Sequence, residues 1–127
     1  MISALDHLVL TTAHRDACID FYTRILGMSL QQFGEGRIAF GFGNQKINLH
    51  ERGREFEPKA AIPTPGALDL CFIADRPLDE VIARLATLGV PIIEGPVERT
   101  GAISRLRSIY LRDPDDNLIE ISERLPR

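Results

Sequence analysis

Two histidines and two carboxylates stand out in this 127-residue sequence because they recur at matching points of two similar stretches. Aligning Asp6-His7-Leu8-Val9-Leu10 with Leu68-Asp69-Leu70-Cys71-Phe72 sets His7 on Asp69 at an offset of 62, and Gly27 and Gly89 share that offset. Further on, Ile47-Asn48-Leu49-His50 aligns with Asn117-Leu118-Ile119-Glu120, which sets His50 on Glu120 at an offset of 70. Neutral imidazole and carboxylate are donors that divalent first-row metals accept, and two carboxylates balance the charge of one such cation. The chemistry implied is binding of one divalent metal by His7, His50, Asp69 and Glu120. A strand histidine taken alone is more often a hydrogen-bonded structural group, and it is the repetition that argues for ligation. His14, the third histidine, opens a helical stretch and reads as solvated or capping.

The elements that must position these residues also come twice. Residues 5–11 read as a strand, after which Cys18, Phe21, Tyr22, Ile25 and Leu26 recur with the spacing of a one-faced helix. Gly27 ends that helix, since Gly takes positive φ at no steric cost. Strands follow around Ser29–Phe33, Arg37–Phe42 and Lys46–His50, separated by Gly-rich turns. Residues 52–66 hold Pro58, Pro63, Pro65 and Gly66 and read as a linker between module one, 1–51, and module two, 67–127. Module two repeats the order: a strand at 67–74, a helix from Pro77 with Leu78, Val81, Ile82, Leu85 and Leu88 on one face, and Gly89 at its end. Its remaining strands are read at Val90–Glu94, Ser108–Leu111 and Leu118–Ser122, with Asp113-Pro114-Asp115-Asp116-Asn117 as a hairpin turn. The offset grows from 62 to 70, so module two holds eight extra residues, assigned to a loop at 99–107 that reads equally as a lid or clamp and as a tolerated surface insertion.

Strand alternation sets the direction of each special side chain. His7 shares a face with Val9 and Thr11, whereas Leu8 and Leu10 face the other way. By the same rule Asp69 opposes Leu70, His50 opposes Leu49, and Glu120 opposes Ile119 and Ile121. The apolar faces take the helices, and the His and carboxylate residues line the opposite, concave side.

Composition excludes other classes. With 44% hydrophobic and 26% charged residues, the chain suits one ordinary globular domain, and a net charge of −3 gives no footprint for nucleic acid. No apolar run reaches the roughly 18 residues that span a bilayer, and no charged leader precedes the first strand, so a cytoplasmic protein without a membrane partner is expected. Cys18 and Cys71 belong to no ligand cluster and read as reduced thiols.

The paired βαβββ modules, the opening DHLVL, the FYTRILGM helix end and the closing RDPDDNLIEI resemble the vicinal oxygen chelate superfamily of glyoxalase I, fosfomycin-resistance proteins and extradiol dioxygenases. FGNQKINLHE, EFEPKA, PTPG, LDLCFI and EGPVERTGA followed by SIYLRDPD resemble, more narrowly, the glyoxalase domain-containing protein 5 subgroup and its bacterial relatives, some labelled virulence proteins. The resemblance implies an α+β fold of two tandem βαβββ modules forming an open barrel with a concave metal-binding cleft, and a homodimer. It also implies metal ligation by His7, His50, Asp69 and Glu120, although superfamily members usually carry His where this chain has Asp69, and glyoxalase I a carboxylate where it has His50.

The implied activity is that of a lyase or isomerase that chelates a small, oxygenated, anionic substrate on Zn, Ni, Co, Mn or Fe(II). Glu120 and Asp69 are the residues that would move protons. The counter-charge for the substrate would come from Arg37, Lys46, Arg99, Arg105 and Arg107, with Arg99 beside Thr100 as the preferred clamp. An Fe(II)-dependent dioxygenase and a non-catalytic small-molecule binding protein are the alternatives.

Overall fold

The computed structural model describes all 127 residues as two compact units, Met1–Ala67 and Leu68–Arg127. In the first, β1 (His7–Thr12) is followed by α1 (Arg15–Asp20), β2 (Ser29–Phe33), β3 (Arg37–Phe42) and β4 (Gln45–Glu51). In the second, β5 (Asp69–Ile73) is followed by α2 (Leu78–Thr87), β6 (Glu94–Thr100), β7 (Arg105–Arg112) and β8 (Leu118–Arg124). The sheets have strand orders β1-β4-β3-β2 and β5-β8-β7-β6, with the first pair of each parallel and the rest antiparallel. The expected α+β arrangement of two βαβββ modules is present. No helix is long and apolar enough to cross a membrane.

Each core lies between a sheet face and its helix. In unit one, Leu10, Ile47, Leu49, Ile38 and Phe40 are buried with Cys18, Phe21 and Tyr22, and Tyr22 stacks on Phe40 at 5.2 Å. In unit two, Ile109, Leu111, Ile119 and Ile121 are buried with Leu78 and Leu85. Removing such side chains from water is the main driving force for both units.

The first helix differs from the even periodicity read in the sequence. After Asp20 it widens into a π-helical turn over Phe21–Ile25, with the Leu26 N–H reaching the Phe21 carbonyl five residues back at 2.9 Å. The widened turn sets Phe21 and Tyr22 edge to face at 5.1 Å, both against the sheet. Gly27, at φ +78°, ends it, and Gly89, at φ +70°, ends α2.

Two further expectations are corrected. The strand read at Val90–Glu94 begins only at Glu94: Pro91 lacks a donor, and ahead of Glu94 the single tie to β7 is the Ile93 N–H on the Tyr110 carbonyl at 2.8 Å. The loop read at 99–107 as a lid is instead the end of a long hairpin: Arg99 pairs with Leu106 and Thr100 with Arg105, and the turn closes with the Gly101 N–H on the Ser104 carbonyl at 2.8 Å. The Glu98–Arg105 ion pair ties the two strands together. Part of the extra length of module two goes into β6 and β7, each two residues longer than β2 and β3, and the rest into the approach to β6 and the turns.

Candidate functional site

Strand register fixes which side chains share a face. In unit one His7 pairs with Lys46, Val9 with Asn48 and Thr11 with His50, while Asn48 pairs onward with Ala39 and Lys46 with Gly41. The face away from the helix thus carries His7, Lys46, Asn48 and His50 over a floor of Ala39 and Gly41. In unit two Asp69 pairs with Leu118 and Cys71 with Glu120, and Tyr110 lies across from Glu120 on β7.

The two registers revise the correspondence read from the sequence. Taking His7 with Asp69 makes Lys46 the counterpart of Leu118, Asn48 the counterpart of Glu120, and His50 the counterpart of Ser122. Asp69 and Glu120 are two positions apart in register, as are His7 and Asn48, whereas His7 and His50 are four apart. Four strand residues span about 13 Å, too far for two imidazoles to meet at one cation unless both lie flat along the sheet toward each other. His50 shares the face of His7 but not its neighbourhood.

Hydrogen bonding shows what each donor has left to offer. The Nδ1–H of His7 donates to the Asp6 carboxylate at 2.8 Å, which leaves Nε2 as a free lone pair in a half-exposed ring. Asn48 is 6% exposed and His50 3%, and the Oδ1 of the first and the Nε2 of the second are buried without any partner. Buried polar atoms without a partner are costly and uncommon, so both are groups that a ligand would satisfy. Phe56, from the segment read as a linker, covers His50 edge-on at 5.7 Å. Burial first, then the positive charge of Arg37, holds the His50 imidazole below its ordinary value and therefore neutral.

Around Glu120 the protons run one way. Ser122 donates to Glu120 Oε2 at 3.3 Å, so its single hydroxyl proton is spent, and it accepts from Ser108 at 2.6 Å and from Cys71 Sγ at 3.4 Å. Burial raises the Cys71 thiol and the Tyr110 phenol, so both stay protonated at neutral pH beside that carboxylate. Asp69 is exposed and makes no ion pair. Neither unit by itself gathers three His, Cys, Asp or Glu side chains.

The cations read as substrate contacts divide sharply. Arg107 lies on the helix face, bound to Asp79 at 3.0 Å and Glu123 at 3.2 Å, and it does not join Glu120. Arg105 pairs with Glu98. Arg99 is on the Glu120 face but donates to the Tyr110 hydroxyl at 2.9 Å and sits 3.4 Å from Glu94, with Thr100 exposed at the hairpin end. Lys46 and Arg37 make no ion pair and lie against aromatic rings: Lys46 is 4.0 Å from the Phe33 ring centre, and Arg37 is 5.0 Å from that of Phe33 and 4.7 Å from that of Phe56. Sequence reasoning missed Asn48, Tyr110 and Phe56; the asparagine inside an apolar strand was the one available signal.

Two mixed sheets, each with a helix on one face and polar donors on the other, define a class that the chain's relatives share. Residues 4–121 match the Glyoxalase/Bleomycin resistance protein/Dioxygenase superfamily, and the chain belongs to it. It is 55% identical over 121 residues to the glyoxalase domain-containing protein RDO1 of Mycosarcoma maydis, covering 95% of this chain and 68% of that one. It is 53% identical over 123 residues to virulence protein STM3117 of Salmonella typhimurium, covering 97% and 85%. The crystal structure of that virulence protein superimposes with a TM-score of 0.96 at 52% identity, over 98% of this chain and 99% of the other. More distant are a lactoylglutathione lyase from Agrobacterium tumefaciens, with a TM-score of 0.73 at 26% identity over 97% and 95%, and the metallothiol transferase FosB of Shouchella clausii, 26% identical over 95% and 80%.

Proposed function

We propose that the protein is a divalent-metal-dependent lyase or isomerase of its superfamily that acts on a small, oxygenated, anionic molecule. The observation that carries this reading is the pair of buried, unpartnered polar atoms, Asn48 Oδ1 and His50 Nε2, on the face that presents His7. Of the two, Asn48 stands where register puts Glu120 in the other unit. Each unit thus presents two donors on its polar face, His7 and Asn48 in unit one and Asp69 and Glu120 in unit two, and these are the residues proposed to bind metal. An imidazole, an amide oxygen and two carboxylates suit Mn, Fe(II), Co, Ni or Zn. A cation so held supplies Lewis acidity toward negative charge developing on substrate oxygen.

The chain's own groups supply the rest. Asp6 fixes the His7 tautomer, and Ser122 holds one oxygen of Glu120. Tyr110 and Cys71, both protonated, keep that side of the sheet supplied with donors. The named relatives support the reading to the extent that one is called a metallothiol transferase and another a lactoylglutathione lyase.

The experiment is metal analysis of protein purified without chelator or affinity metal, together with His7→Ala, Asn48→Ala, His50→Ala and Glu120→Ala. About one transition metal per chain, lost from the His7, Asn48 and Glu120 variants while circular dichroism is unchanged, supports the reading. Loss on His50→Ala with retention on Asn48→Ala would return His50 to the donor set. No metal bound or taken up overturns the enzyme reading, and size-exclusion with light scattering tests the homodimer.

A further inference from the structure

Five cations carry the counter-charge expected for an anionic substrate, and three of them are already committed to carboxylates of their own unit: Arg99 to Glu94, Arg105 to Glu98, and Arg107 to Asp79 and Glu123. Arg37 and Lys46 are not. Both are half-buried on the polar face of the first sheet, each within 5.0 Å of the centre of the same Phe33 ring. Glu55 and Glu57, whose charges bear on His50, form no ion pair with either: Glu57 pairs with Lys59, and Glu55 accepts the Gly53 N–H at 3.2 Å.

Two like charges held over one ring repel each other, and the cation–π attraction each gains is small at a wet surface and larger only when water is excluded. An anion placed between them removes the repulsion. On this face the Gln31 side chain lies directly over Gly41, beside Lys46, and the small Ala39 neighbours Asn48. Asn48 and His50 lie on the same face, with their unpartnered atoms buried beneath it.

We propose that Arg37 and Lys46, backed by Phe33 and Phe56, form the subsite for the anionic group of the substrate, a carboxylate or phosphoryl oxyanion. This names the substrate class of the proposed enzyme and rests on that reading for its role, while the subsite itself needs no metal. Arg37 supplies the planar fork that suits a paired oxyanion, and Lys46 supplies a point charge. Arg99, held by Glu94 and the Tyr110 hydroxyl, lies in the other unit and stands outside this subsite.

The test is an NMR titration of the full-length, metal-stripped protein with inorganic phosphate and, separately, with succinate. Saturable binding of at least one probe is expected, weakened tenfold or more by Arg37→Gln and by Lys46→Gln and changed less than twofold by Arg99→Gln. The two probes distinguish a phosphoryl from a carboxylate preference. No saturable binding, binding indifferent to Arg37→Gln and Lys46→Gln, or equal loss on Arg99→Gln overturns the subsite. A chain that binds the probe in this way but takes up no metal keeps the subsite and overturns only the metal-dependent reading.

Discussion

Replacing Asp113 with alanine tests how the second unit holds Asp69 beside its partner strand. The carboxylate is 4% exposed and accepts the N–H groups of Asp115 and Asn117 on one oxygen, each at 2.9 Å, and the Asn117 amide on the other at 2.8 Å. Asn117, itself 1% exposed, in turn accepts the Leu68 N–H at 2.8 Å, immediately before Asp69 opens β5. A hydrogen bond to a charged group contributes about 1.5–3 kcal/mol net, and three that share one acceptor do not add in full, so Asp113→Ala is expected to cost about 3–5 kcal/mol. Asp113→Asn keeps the backbone acceptor but turns one amide toward another, and should cost about 1–3 kcal/mol. Urea unfolding followed by circular dichroism reads both, and hydrogen exchange at Leu68 reports whether the tether to β5 has gone. An Asp113→Ala midpoint equal to wild type, or Asp113→Asn less stable than Asp113→Ala, would refute the reasoning.

Other outcomes follow from the same structure. Gly95 sits at φ +104° with the Ser108 carbonyl oxygen 2.5 Å from where a Cβ would be, so Gly95→Ala should lower stability by about 2–4 kcal/mol in a thermal melt. Asp6→Ala frees the His7 tautomer and should weaken metal binding about tenfold or more in a chelator competition, with Asp16→Ala unchanged. Because burial raises the Cys71 thiol, its reaction with a disulfide reagent should reach half its maximal rate above the ordinary thiol range; a midpoint below that range would contradict the burial argument.

The modules were legible because their signals are local. Apolar spacing found both helices, Gly27 and Gly89 ended them, and alternation placed His7, His50, Asp69 and Glu120 on the faces they occupy. What stayed hidden depends on partners far away in sequence. The π-helical turn at Phe21–Ile25 keeps nearly the same apolar stripe as a regular helix, so the pattern does not reveal it. The charged strand Glu94–Thr100 exists because β7 pairs with it, against its weak intrinsic preference. The mismatch of His50 with Glu120 has a sharper cause: sliding a strand by two residues returns every side chain to its own face, so alternation cannot detect the slip that puts Asn48 opposite Val9.

That slip also sets the terms for any attempt to rebuild the chain as two identical halves. Copying the acidic pair of the second half into the first requires His7→Asp together with Asn48→Glu, while His50 is left alone. A symmetrised molecule designed from the aligned letters would instead carry its new glutamate one full pleat away, on the correct face and at the wrong height.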